Sequence, residues 1–528
     1  MQSIMKLQKV LFSLLLLYIC QIIRADIYTG SCGDNATYTY DTDTQVLNIS
    51  GTGAMKDYSK HHWYDDWWSI SPGSMYGSYR ENIKTVIISE GITHIGSYAF
   101  NECRGLTSVV IPSTVVSIGE CAFNYCTALL LVNIPESTKV IGKYAFCDCA
   151  LTSIHLPEGI TTISEWAFSG CSLKTVDLPT SLTTIGDHAF SFNYDGFSEI
   201  SIPSHVVSIG EGAFMGCKSL TTITIPESVT HIGKNAFKSC DNLSSVTLPP
   251  NITSIESGTF WNCYSLRTVT IPDKVTTIGS GAFGDCYGLT SMVIPSNVTE
   301  ICDSAFFDCI KLENIEIREG LKSIGYKAFY SCKKLASIAL PNTLSEIGER
   351  AFKDCFNLVT VTFGKDLRSI GEFSFDRCKK LTLIDIPEGT TCIGVGAFYE
   401  CWSLATASIP STIESMSGAF TSCALTTVYN YALVPQNSGY ISHTDSATLH
   451  VVKGCKEIYA STKYWKTFAN IIDDLGYCTD VNHFTPTSYS KETEDKHYTL
   501  DGRILSQPKH GLNIVRTADG RAVKKVCR

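Results

Sequence analysis

The chain is poor in charge. Asp, Glu, Lys and Arg make up only 18% of its 528 residues, and their balance is -9, with a pI near 5.8. There is therefore no basic field to collect the counterion-release energy on which nucleic-acid binding depends, and DNA and RNA are not expected as partners. Beyond the N-terminal segment no apolar run approaches the roughly 20 residues that span a bilayer, so no transmembrane helix is expected after that segment is removed. Phosphate-loop spacing is missing too: Gly51 to Lys56 has the glycines but not the Walker interval. Asp41 and Asp43 alternate as in a calcium loop but lack its later glycine and glutamate. They read instead as a hairpin turn between Tyr38–Tyr40 and Val46–Ile49. What the chain does have is 44% apolar residues, enough to build a long core and too many for a disordered chain.

The first residues follow the order of a secretory signal. Lys6 and Lys9 precede an apolar stretch from Val10 to Ile23, and Ala25 supplies the small residue before a cut. Residues 1–25 are read as a signal peptide, with the mature chain starting near Asp26 and exported to the cell surface or the medium. An N-terminal cap is expected over residues 26–82.

From there the sequence repeats. Phenylalanines at Phe100, Phe123, Phe146 and onward to Phe420 mark fifteen units spaced 22 to 24 residues apart. The unit from Leu220 to Cys240 shows the pattern, with Ile223, Ile225, Pro226, Val229, Ile232, Gly233, Ala236 and Phe237. The two-residue alternation places Ile223 and Ile225 on one face and Thr222 and Thr224 on the other, which predicts one short strand per unit. Pro226 ends that strand, and Gly233 is expected to supply a permissive backbone at the next bend. One unit cannot bury its apolar face alone, but a stack of them can. The fold class predicted is therefore a mainly β repeat solenoid of about fifteen units over residues 83–428, with terminal caps, the C-terminal one over residues 429–478.

At this point the chain resembles the BspA-like, or Treponema-type, leucine-rich-repeat surface proteins, whose units carry this Ile-Pro, Ile-Gly and Ala-Phe-x-x-Cys pattern. The resemblance extends from Gly30 and the Ile49 to Met55 segment to Ala447–Gly454 and Trp465–Ile471, which look like the family's end caps. It implies a non-enzymatic, cofactor-free leucine-rich-repeat arc that binds proteins or glycoproteins. Members of the family are implicated in binding matrix glycoproteins such as fibronectin and fibrinogen.

Twenty-three cysteines in an exported chain would ordinarily suggest disulfides. Fourteen of them, however, stand three residues after the repeat phenylalanine: Cys103, Cys126, Cys149, Cys171, Cys217, Cys240, Cys263, Cys286, Cys309, Cys332, Cys355, Cys378, Cys401 and Cys423. They form one column, and Asn193 fills it in the remaining unit. Free buried thiols are favoured over disulfides, and zinc is disfavoured because one thiol per coil gives a line rather than four converging ligands. A disulfide in a cap, using Cys32, Cys455 or Cys478, is left open.

No repeat position breaks its pattern with a set of polar groups suited to catalysis, so no catalytic residue is assigned. His94 and His231 share a repeat position and are read as exposed turn residues. The better functional clue is the outward face of the strands. Of thirty outward positions, seventeen are Ser or Thr, and none is Lys or Arg. Thr222, Thr224, Thr247, Thr268, Thr270, Thr360 and Thr362 belong to this hydroxyl-rich face, which suits extended contact with a protein or glycan. Equally, threonine stabilises stacked strands with no ligand at all. Leu131, His155, Leu383 and Tyr429 interrupt the pattern and are candidates for specific contacts. A second candidate is the aromatic cluster containing Trp63, Trp67 and Trp68, either as cap packing or as a glycan-stacking platform. A third reading makes the solenoid a structural spacer.

Residues 479–496 read as a linker. Residues 497–528 alternate apolar and polar residues across Asp-Gly turns and predict a small β module. This module resembles C-terminal segments of exported Bacteroides-type proteins, some of which act as sorting or attachment signals. Eukaryotic parasites also carry proteins of this family, and five Asn-x-Ser/Thr sites, including Asn251 and Asn297, would suit them.

Overall fold

A computed structural model describes residues 27–58 and 79–476, together with the strands Lys496–Tyr498, Ile504–Leu505, Gly511–Arg516 and Ala522–Cys527. The signal segment, the Trp63, Trp67 and Trp68 cluster, Cys478 and most of the linker lie outside the described residues.

The chain winds into a parallel β solenoid, as the repeat predicts, but most coils contribute two strands rather than one. In one coil these are Thr222–Thr224 and His231–Ile232, each hydrogen-bonded in register to its copies: Ile223 pairs with Val246, and Ile232 follows Ile209. The second strand is only two residues long, too short for an alternation to show in sequence. His94 and His231 belong to this second ladder and are not turn residues. His94 is half-buried, with Nδ1 at 2.7 Å from Ser117 Oγ and Nε2 at 3.3 Å from Asp57 Oδ1.

Gly233 also plays a different part from the one expected, since its φ is not positive. A Cβ there would lie 2.5 Å from the Glu211 backbone nitrogen and 2.6 Å from the Gly210 carbonyl carbon of the preceding coil. The glycine is thus required by the close approach of backbone from one coil to the next. The left-handed backbone is supplied elsewhere, two residues before and two residues after each repeat phenylalanine, by residues as different as Tyr98, Lys327, Arg350 and Arg377. This alternation turns every second N–H along the stack. Tyr98, Phe100 and Glu102 donate to Glu120, Ala122 and Asn124 of the next coil at 2.7, 2.8 and 2.7 Å. The residues between them close local turns, Asn101 donating to the Tyr98 carbonyl and Cys103 to that of Phe100.

The core is a set of columns. The fifteen repeat phenylalanines stack in fourteen successive pairs, with ring centroids 5.1 to 5.9 Å apart and planes within 20°. The cysteine column lies beside them. Each thiol from Cys126 onward donates to the phenylalanine carbonyl of the preceding coil, as Cys286 does to Phe260 at 3.2 Å, so that a buried carbonyl gains a second donor. Asn193 does the same work with its amide, donating to Phe168 and Phe190 and accepting from the Leu173 N–H. None of the twenty cysteines from Cys32 to Cys455 forms a disulfide. Burial pushes the column's thiols up, those of Cys103, Cys217 and Cys423 to about 12, and so suppresses the reactive thiolate. Iodoacetamide should therefore alkylate exposed Cys392 in the native protein and spare the fourteen column cysteines until unfolding. Peptide mapping of the labelled sites checks this.

The ends are closed by strands that join the first ladder. Ala36–Asp41 and Val46–Gly51 form the expected hairpin, with Tyr38 opposite Ile49, and Asp41 Oδ1 accepts the Asp43 and Thr44 N–H groups across its turn. Val46–Gly51 then runs parallel to Thr85–Ile88. At the far end, Thr427–Asn430, Thr448–Val452 and Asn470–Leu475 continue the same parallel sheet, over a plug made by Tyr459 and Trp465. In the C-terminal segment, Gly511–Arg516 pairs antiparallel with Lys496–Tyr498 and Ala522–Cys527.

Candidate binding face

The alternation seen in sequence is real on the first ladder: Ile223 and Val246 are buried while Thr222, Thr224, Ser245 and Thr247 are exposed. Parallel register aligns the hydroxyls into two columns, Ser201, Thr224 and Thr247 in one and Thr222, Ser245 and Thr268 in the other. Thr270 follows at the strand end, and Thr360 and Thr362 continue the face further along, where Thr360 pairs with exposed Leu383. The hydroxyls one residue before each strand behave differently. Thr221 and Ser244 donate to the carbonyls of Ser198 and Thr221 at 3.0 and 3.1 Å, locking coil to coil. Among the described residues, no protein group engages the hydroxyls of Thr222, Thr224, Thr247, Thr268, Thr270, Thr360 or Thr362.

Two shallow depressions lie on this face. One of 620 Å³ is rimmed by Glu199, Ser201, Thr222 and Thr224, and one of 430 Å³ by Thr268, Thr270, Ser291 and Val293. The four residues that interrupt the pattern do not converge. Leu131 is 61% exposed and lies in a coil where the strand lapses. Tyr429 is only half-buried surface, its ring stacked on His450 at 4.8 Å. His155 faces outward, with Nδ1 2.6 Å from Asp177 Oδ2 and Nε2 3.4 Å from Glu136 Oε1.

The hydrogen bond to Asp177 raises the His155 pKa above its usual 6.5. Pairing favours the imidazolium in the folded chain. Its small contribution to stability is therefore complete below the unfolded midpoint and disappears as pH rises through the higher folded one. Asp177→Asn should bring the His155 midpoint down toward 6.5, read from its imidazole proton shifts.

One polar constellation escaped the sequence reading. On the turn edge of three successive coils, Lys353 Nζ lies 2.5 Å from Asp376 Oδ2, and Arg377 reaches Asp354 at 3.2 Å and Glu400 at 3.7 Å. The Asp376 side chain is 2% exposed, and burial raises its pKa despite Lys353 and Arg377. The partners are a full repeat apart and each sits at a turn position that looks solvated in sequence. Only their relation to one another, coil above coil, would have disclosed them. Among the described residues no cluster of three or more His, Cys, Asp or Glu could hold a metal ion, and no helix is long and apolar enough to cross a membrane.

No curated protein matches the sequence significantly. Among solved structures, a leucine-rich repeat protein from Bacteroides ovatus is similar at 27% identity, covering 80% of this chain and 99% of that one, with a TM-score of 0.57. One from Eubacterium ventriosum is 26% identical over 72% of this chain and 96% of that one, TM-score 0.42. A leucine rich cell surface protein from Faecalibacterium prausnitzii is 26% identical over 77% and 94%, TM-score 0.30. The family model for the BspA type leucine rich repeat region matches in six copies over residues 73–193, 191–313 and 299–426. With the stacked Phe and Cys columns those copies encode, the chain belongs to the BspA-type leucine-rich-repeat family.

Proposed function

We propose that this protein is an exported, non-enzymatic surface adhesin that binds a protein or glycoprotein partner, such as a matrix glycoprotein, through the strand face. The observation that carries the reading is the unengaged hydroxyl columns. If threonine served the stack alone, its hydroxyls would bond to neighbouring coils as those of Thr221 and Ser244 do. Instead they stand free on a surface with almost no charge to desolvate, so a partner can satisfy them over many coils at once. Solenoids use such extended faces for recognition, and a stable contact needs on the order of 800 Å² per partner, which several adjacent strands supply.

The test is solid-phase binding of the mature protein to a panel of matrix glycoproteins at low and physiological salt. Saturable binding is expected, with a Thr224→Lys, Thr247→Lys double variant weakening it at least tenfold. The reading fails if no panel member binds saturably, or if the double variant folds and binds like the parent.

A further inference from the structure

The coil that carries Asn193 in the cysteine column is irregular in other ways. Phe190 and Phe214 are 24 residues apart, and Phe197 packs edge-on against both rings at 6.3 and 6.4 Å. On the turn edge of the solenoid, away from the strand face, this coil displays Phe192, Tyr194 and Asp195. Together with Asp148 and Gly170 they line a cavity of 310 Å³.

Its openness has a local cause. Two residues after each repeat phenylalanine stands a residue in the left-handed region, and Glu102, Asp285 and Arg377 are typical occupants. In this column of fifteen, glycine occurs only at Gly170 and Gly216, the two positions that bracket Phe192. A Cβ on Gly170 would fall 2.2 Å from Asp148 Oδ1, and one on Gly216 would fall 3.1 Å from Phe192 Cδ1 and 3.4 Å from Tyr194 Cε1. The missing side chains leave ring and carboxylate facing the same space. Tyr194 is 48% exposed, and its ring centroid lies 5.8 Å from that of Phe192.

Charge narrows the choice of ligand. Lys174 donates to the Asp195 carbonyl, and Lys218 Nζ, 5.5 Å from the Tyr194 ring centroid, is paired with Asp241 Oδ2 at 3.4 Å. The Lys218 charge is thus already met by Asp241, so the notch carboxylates repel an anion and leave a cation as the competing class of ligand. Aromatic faces beside carboxylate oxygens match a pyranose, whose C–H face packs on a ring while its hydroxyls donate to carboxylates. The volume lies at the small end of ligand cavities, roughly 300 to 1,000 Å³.

We propose that this notch binds a neutral hexose unit of a glycan, stacked on Phe192 and Tyr194, with its hydroxyls donating to Asp148 and Asp195. The site is separate from the strand face, and either can fail without the other.

The full chain is titrated with neutral gluco-, galacto- and manno-configured oligosaccharides and followed by saturation-transfer NMR. At least one configuration should bind saturably. Tyr194→Ala and Asp148→Asn should each weaken it at least tenfold, and Tyr194→Phe, which keeps the ring, should retain it. Tyr264→Ala, in a stacked tyrosine pair on a distant coil, is the control that leaves binding unchanged. Thermal melts establish that each variant is folded. The proposal is overturned if no sugar binds, if binding survives both Tyr194→Ala and Asp148→Asn, or if tetramethylammonium outcompetes every sugar.

Discussion

Phe283→Ala is expected to lower stability by about 3 to 5 kcal/mol and to split urea unfolding into two transitions. Phe283 is fully buried, and its ring stacks on Phe260 at 5.5 Å and Phe306 at 5.3 Å. Removing it deletes the transfer energy of the ring and leaves a cavity that rigid neighbouring coils cannot fill. A solenoid's stability is nearly a sum of neighbour interfaces, so one weakened interface in mid-array separates the coils on either side into two cooperative units. Circular dichroism across a urea series measures the midpoint, and amide exchange on the flanking coils measures the split. A variant with an unchanged midpoint would show that the phenylalanine column is not the spine of the stack.

Lys353→Met is the second large effect, about 3 kcal/mol, which is the low end for breaking a buried ion pair because the Lys353 side chain remains 16% exposed. The loss comes from leaving Asp376 buried with its main counter-charge gone, while Arg377 Nε stays 3.8 Å from its other oxygen. The pH dependence identifies the cause. Asp376 already has a raised pKa in the folded chain, and removing Lys353 raises it further, so the folded variant holds a proton that the unfolded chain releases. Stability then falls as pH rises between the unfolded and folded midpoints. The deficit of Lys353→Met should be largest at neutral pH and shrink as acid protonates Asp376. Adding Asp376→Leu should recover most of it, and a deficit that did not change with pH would assign the effect to lost packing of the lysine stem.

The repeat period, the buried phenylalanine column and the inward cysteines were legible because each recurs at a fixed interval and a stack turns interval into contact. Thr222 and Thr224 could be placed outward for the same reason, by alternation with Ile223. Three features were not legible. The second strand, at His231–Ile232, is too short to show a period. The left-handed positions at Tyr98, Lys327 and Arg350 carry no glycine or asparagine to signal them, because the hydrogen bonds of the neighbouring coils hold the backbone there. The pairing of Lys353 with Asp376 joins turn residues whose side chains look solvated until one coil is laid on the next.

By itself the sequence determined the architecture, since fifteen copies of one unit share a single way to bury Leu, Ile and Phe. It also determined which face each repeat position takes. Tertiary structure alone decided which side chains meet across coils: the engaged hydroxyl of Thr221 beside the free one of Thr222, the buried Asp376, and the notch left open by Gly170 and Gly216. The physical reason is that burial pattern is a property of one unit and its period. Hydrogen bonding, desolvation and open volume depend on the residues one coil above and below, which a periodic sequence leaves free to vary.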